Sequence, residues 1–326
     1  MKKTMKILSD LFKIEKKPKK GLMAFEWAMF IYMGVTLLLL LFTYTKVENP
    51  EPMIYGRLRI ALMTFALWGV YRMVPCRFMR FCRVLAQMAL LSWWYPETYE
   101  FNRMFPNLDH IFAGYEQSLF GFQPSLVFAA KCGNAVFSEL MCLGYTAYYP
   151  LIALVAVFYF FCRYEHFART SFIVLASFFV YYVIYIFLPV AGPQYYYQAV
   201  GIDGIAHGVF PALGHYFASH QEALATPGWT DGFFYDLVRS AHDAGERPTA
   251  AFPSSHVGVT TILMILAWTS RNRRLFFGML PLYVLLCLST VYIYAHYAID
   301  VFAGWISAVV IYAALYVVYE KWVGKE

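Results

Sequence analysis

The run TSFIVLASFFVYYVIYIFLPV, residues 170–190, contains no Asp, Glu, Lys, Arg or His. A bilayer core of roughly 30 Å takes about 20 helical residues to cross, so this stretch reads as a membrane span. Seven more apolar runs accompany it, at 22–44, 57–75, 84–96, 136–162, 254–270, 275–294 and 297–318. The expectation is an all-α polytopic integral membrane protein with about eight transmembrane helices. Composition points the same way: the 326 residues are 60% hydrophobic and 14% charged, with a mean hydropathy of +0.52. A soluble domain averages roughly 45–50% and 25%. No Pro/Gly/Ser-rich linker divides the chain, which reads as one polytopic domain. The run at 22–44 is too long for a signal-peptide core and has no small-residue cleavage site, so it reads as an uncleaved anchor. The run at 84–96 is the short one, and an interfacial or re-entrant piece competes with a full crossing there.

The distribution of positive charge arbitrates. Eight of the 26 Lys and Arg residues lie between Lys2 and Lys20, so the net charge of +6 is a tail at 1–21 and not a nucleic-acid groove. Met5, Leu8, Phe12 and Glu15 recur at helical spacing, and the tail reads either as lying on an anionic membrane surface or as a solvated cytoplasmic segment. With eight spans and the N-terminus inside, 19 of the 26 basic residues fall inside and 7 outside; removing the crossing at 84–96 changes this to 16 and 10. Basic loops stay on the cytoplasmic side, which favours eight spans with both termini cytoplasmic. A bacterial inner membrane with a periplasmic site is preferred, and a Golgi-type membrane with a lumenal site shares the same topology. The six cysteines form neither a disulfide framework nor a CxxC metal pair. Nothing in the sequence speaks to oligomeric state.

Three polar clusters then sit at span ends on the outer face: Ala191-Gly192-Pro193-Gln194, Arg247-Pro248-Thr249-Ala250-Ala251-Phe252-Pro253-Ser254-Ser255-His256, and His296-Tyr297-Ala298-Ile299-Asp300. Asp300 follows His296 by four residues, so on a helix the carboxylate can hold the imidazole Nδ1–H and leave Nε2 open. Pro253-Ser254-Ser255 reads as a helix start with a hydroxyl cap and uncommitted N–H groups that attract phosphate. His256 would stand beside that anion as a proton donor. The other histidines, His207, His215, His220, His242, His110 and His166, read as interfacial side chains. Taken singly, Asp300 is a helix-start acid and Ser254 a cap; the joint pattern is what points to catalysis.

At these residues the sequence resembles the type 2 phosphatidic acid phosphatase superfamily, whose membrane enzymes carry a PSGH-like motif and, one helix later, a motif ending HxxxD. Pro253-Ser254-Ser255-His256 and His296-x-x-x-Asp300 match both. The Ala250-Ala251-Phe252-Pro253-Ser254-Ser255-His256 form and the His296-Tyr297 start are most similar to the inositol phosphorylceramide synthase-like branch. Leu108-Asp109 to Gly121 and the Gly192-Pro193 turn resemble that branch more weakly. The resemblance implies N-terminal helices at 22–100 and a catalytic domain at 101–320 with a six-helix core. It implies that His296 is the nucleophile, that Asp300 orients it and that His256 protonates the departing oxygen. Ser254, Ser255, Arg247, Gln194 and Arg239 are the candidate substrate-binding residues. Partners would be a membrane phospholipid donor and a lipid alcohol acceptor, with no cofactor and no metal. The superfamily's Lys-x6-Arg-Pro motif and Ser-Arg pair are missing; the pair's positions read Ser289-Thr290, and the one Arg-Pro is Arg247-Pro248. Arg247 is either a replacement phosphate clamp or a rim charge balancing Glu246. Three functions are carried forward: a lipid phosphotransferase, a lipid phosphate phosphatase with the same residues, and a lipid transporter or scaffold, which the missing internal repeat disfavours.

Overall fold

The structure is a computed structural model that describes residues 10–16 and 18–323. Fourteen helices matter for the site: α1 (Ala24–Phe42), α2 (Pro50–Met73), α3 (Arg77–Asn102), α4 (Asp109–Phe120), α5 (Pro124–Lys131), α6 (Ala135–Thr146), α7 (Tyr148–Cys162), α8 (Tyr164–Phe187), α9 (Pro193–Val200), α10 (Ile202–Ala206), α11 (Phe233–Gly245), α12 (Ser255–Thr269), α13 (Arg273–Tyr292) and α14 (Ala298–Val318). No strand occurs among the described residues, and the chain is an all-α polytopic membrane protein. Helices α1, α2, α8, α13 and α14 are long and apolar enough to cross a bilayer, and α6 with α7 forms a sixth crossing if that bent pair is one span.

The two remaining runs depart from that standard for different reasons. Helix α3 is one continuous 26-residue rod, about 39 Å at 1.5 Å per residue, so 84–96 is the middle of a long helix and not a short interfacial piece. Its hydropathy is lowered by side chains that the bundle pairs internally. Arg83 grips Glu26 of α1 through Nε and Nη2 at 2.7 and 2.5 Å. Glu97 accepts both Nη groups of Arg57 from α2 at 2.7 Å each. Ion pairs held by two hydrogen bonds each can stand where a lone charge would be prohibitive. Helix α12 has only 15 residues, about 22 Å against a core of about 30 Å. It is buried among α7, α8, α13 and α14, so its first turn, which carries His256, begins inside the protein.

Helices α6 and α7 meet at a 45° bend. Pro150, in the first turn of α7, cannot donate to the Thr146 carbonyl and its ring crowds that group. The bend sets Tyr145 and Tyr148 on either side of one space. At the opposite end of the bundle, Glu15 ties the N-terminal segment to the helices: its N–H donates to Pro75 O at 2.7 Å, and its carboxylate accepts from Tyr71 and Arg80, both at 2.7 Å. Met5 and Leu8 of the tail reading lie outside the described residues.

Candidate active site

The three clusters close into one site through the backbone. After α8, Val190 O accepts from Ala251 N–H at 3.0 Å and Gln194 N–H donates to Tyr294 O at 2.8 Å. Ser254 N–H donates to Asp300 O at 3.2 Å. Gly192 has φ +95°, and a Cβ there would stand 2.8 Å from Ala295 O and 3.1 Å from Ala251 Cβ. Only glycine combines that conformation with so close an approach of three chain segments. Gly304 of α14 does the same for the helices, because a Cβ there would lie 2.9 Å from Ser254 O. That contact draws α14 against the start of α12 and brings the two histidines together: their ring centroids are 5.8 Å apart.

His296 is 3% exposed. Its Nδ1 lies 2.7 Å from Ala251 O and 3.5 Å from Asp300 Oδ2. Two acceptors at Nδ1 place the proton there and leave the Nε2 lone pair open. The nearer partner is the Ala251 carbonyl, and Asp300, which the i+4 spacing suggested, stands second at 3.5 Å. The same Asp300 oxygen accepts from Tyr297 N–H at 2.8 Å, closing the first turn of α14. Burial pushes the His296 imidazole down to about 4, against smaller opposing pulls from its bond to Ala251 and from Glu246.

His256 packs between two rings that the α6–α7 bend provides, 4.7 Å from Tyr145 and 4.4 Å from Tyr148. Its Nδ1 is buried with no protein partner. The helix start beneath it is less open than expected. Ser254 Oγ caps Val257 N–H at 3.3 Å and Ser255 N–H donates to Tyr185 Oη at 2.9 Å, which leaves the His256 N–H uncommitted among these three.

The clamp candidates divide. Gln194 is buried and donates to Glu246 Oε2 at 3.1 Å. Arg247 is half-buried and donates to the Glu246 main-chain carbonyl at 3.2 Å; no ion pair joins it to the Glu246 carboxylate among the described residues. Its charge acts on Tyr99, Glu100 and Tyr195. Arg239 points outward, 63% exposed and 3.2 Å from Asp236, so it has no place in the site. Ser289 and Thr290 are buried with hydroxyls bonded to carbonyls of their own helix. Among the described residues no group of three or more His, Cys, Asp or Glu is placed to hold a metal ion.

Several site residues escaped the sequence reading. Asp109, at the start of α4, accepts from Ala191 N–H (2.6 Å), Gly192 N–H (2.8 Å), Tyr297 Oη (2.9 Å) and Asn107 Nδ2 (2.6 Å). Glu116 of α4 accepts from Ala298 N–H at 2.5 Å, and burial, then the neighbouring Asp300, pushes its carboxyl up to about 8. A proton kept there limits the negative charge gathered beside Asp300 at the α14 N-terminus. Glu246 and His242 lie together on the other flank, 3.3 Å apart, and Glu246 accepts from Tyr145 Oη at 2.7 Å. The i+4 spacing of His242 and Glu246 was the available signal, the same as for His296 and Asp300.

A model of the PAP2 superfamily matches residues 110–314. The chain belongs to the PAP2 superfamily. No curated protein and no solved structure matches it. The matched region contains both histidines and every loop that joins them, together with Glu116, and it begins one residue after Asp109. PAP2 membership carries phosphatase-type chemistry on lipid phosphoesters.

That chemistry fixes a pH expectation. Burial keeps the His296 imidazole neutral through the physiological range, so, with His296 as the nucleophile, its protonation towards about 4 is expected to set the acid limb of kcat/KM. Loss of the Glu116 proton near 8 adds a second charge beside Asp300 and should set the basic limb. A pH profile of kcat/KM checks both, and an acid limb near the ordinary histidine value would contradict the first.

Proposed function

We propose that this protein is a lipid phosphotransferase of the inositol phosphorylceramide synthase-like kind, moving a phospho-headgroup from a membrane phospholipid to a lipid alcohol such as ceramide or diacylglycerol. The observation that carries the reading is the pair of histidines, 5.8 Å apart, with His296 buried and its Nδ1–H held by Ala251. His296 Nε2 attacks phosphorus, the P–O bond to diacylglycerol breaks, and His256 gives its proton to the departing oxygen. The acceptor hydroxyl then returns a proton to His256 and attacks phosphorus, and the P–N bond breaks to restore His296. A covalent phosphohistidine divides one difficult displacement into two easier ones. Asp300, 3.5 Å from Nδ1, offsets the positive charge that the ring gains.

The reading extends to the catalytic domain at 101–320, with cytoplasmic termini and a site on the periplasmic or lumenal face, the bacterial inner membrane being preferred. Hydrolysis by the same residues, with water as acceptor, is the second reading. The near-complete burial of His296 favours a lipid alcohol, because water must be kept from the intermediate for transfer to win. The test supplies purified protein with fluorescent ceramide and diacylglycerol plus mixed phospholipids, following free phosphate and new labelled phospholipid together. A new labelled lipid is expected; phosphate release without it would establish the phosphatase.

A further inference from the structure

The two histidines are held differently. His296 has its Nδ1 against Ala251 O at 2.7 Å, whereas His256 Nδ1 is buried without a protein partner. With that nitrogen unheld, the aim of the His256 ring depends on the faces of Tyr145 and Tyr148 and on the backbone turn from which it springs. His256 is the second residue of α12, and the leading N–H groups of a helix have no intrahelical partner. Ser254 Oγ serves one of them, the Val257 N–H. The first, on Ser255, needs a partner from outside the helix.

Tyr185, in the last turn of α8, supplies it. The side chain is fully buried, and its hydroxyl works in both directions, donating to Pro253 O at 2.9 Å and accepting from Ser255 N–H at 2.9 Å. Those two groups lie on either side of Ser254, so one hydroxyl pins the residues that lead into His256. The Tyr185 carbonyl is open for a local reason: the N–H that would close the helix onto it belongs to position 189, and Pro189 has none. Asn102 Nδ2, at the end of α3, takes that carbonyl at 2.6 Å. Helix α3 lies outside the region 110–314 matched to the superfamily, so Asn102 and Tyr185 together link the N-terminal helices to the start of α12.

We infer that Tyr185 is a positioning residue for proton transfer: its hydroxyl fixes the first turn of α12 and so aims His256 at the departing oxygen, and Asn102 fixes Tyr185 in turn. This rests on the reading of His256 as the proton donor and adds the residue that orients it. Tyr185 touches neither phosphorus nor the leaving group, and the attack by His296 does not depend on it.

The experiment reconstitutes wild type, Tyr185→Phe and His256→Ala in liposomes with acyl-labelled phosphatidylinositol or phosphatidic acid, and with the counterpart of each in which a chain-bearing 4-nitrophenol replaces diacylglycerol. Single-turnover release of the leaving group isolates the first P–O cleavage. Nitrophenolate departs without a proton, so a defect confined to proton donation appears with diacylglycerol and not with nitrophenol. Tyr185→Phe is expected to slow diacylglycerol release about 10- to 100-fold and nitrophenol release less than about 3-fold. His256→Ala is expected to show the same selectivity with a larger loss. Should Tyr185→Phe fail to unfold cooperatively, Asn102→Ala, which leaves the hydroxyl in place, decides by the same comparison. Wild-type rates in the tyrosine variant, or equal losses with the two leaving groups while His256→Ala stays selective, would overturn the positioning role and leave the proton-donor reading standing. Equal losses in His256→Ala, or release from no donor by wild type, would overturn both.

Discussion

His296→Ala is expected to lower turnover by about 10⁴-fold or more, the scale on which removal of a catalytic nucleophile acts. The structure makes this a test of chemistry and not of folding. The ring contributes one buried hydrogen bond, to Ala251 O, and leaving that carbonyl unpaired costs about 1–3 kcal/mol. The loops around it remain stitched by Val190, Tyr294 and Asp300 through their own backbone bonds. His256→Ala removes proton transfer alone, typically worth about 10²–10⁴-fold, and should slow both halves of the reaction without erasing the nucleophile. Labelled-donor turnover and trapping of phosphorylated protein separate the two. Wild-type rates in His296→Ala would end the assignment of His296 as the nucleophile.

The sequence made the bundle legible because the bilayer imposes a length on apolar runs, and 170–190 needs no tertiary information to be read. It made the two histidine motifs legible because a helix start followed by His, and His followed by Asp at four residues, are local patterns. The rest depends on contacts between distant segments. The i+4 rule assumes that a helix contains both residues, but His296 precedes the first turn of α14, which begins at Ala298, so a carbonyl from 45 residues away takes the Nδ1 proton. The run at 84–96 looked short because charges flank it, and the partners of those charges on α3, Glu26 and Arg57, belong to other helices. Arg239 looked like a clamp because a loop position gives no orientation, and α11 turns it to solvent. Glu246 entered only as the charge beside Arg247 until the fold set it against Tyr145.

Asp109→Ala is expected to cost about 10²-fold in kcat although Asp109 touches neither histidine. Its two oxygens take four donors, two of them consecutive backbone N–H groups of the Ala191-Gly192 turn and one the hydroxyl of Tyr297, the residue after His296. Burial pushes its carboxyl above the ordinary aspartate value while those bonds pull the other way, the balance of a group held for its acceptors. Removing it leaves buried donors unpaired, at about 1–3 kcal/mol each, and frees the turn that carries Gly192 against Ala295 and Ala251. Since Ala251 holds the imidazole, the slack passes to the nucleophile, and a misplacement of about 1 Å is enough for a loss of this size. Asp109→Asn is the sharper variant. It keeps the shape but turns one oxygen into an N–H donor facing donors that cannot rotate away, so it should lose activity nearly as fully. Steady-state kinetics beside thermal unfolding decide the matter. A fall in kcat at nearly constant KM in protein that still unfolds cooperatively marks Asp109 as a positioning residue, whereas full activity in Asp109→Asn would show that the turn holds His296 in place without it.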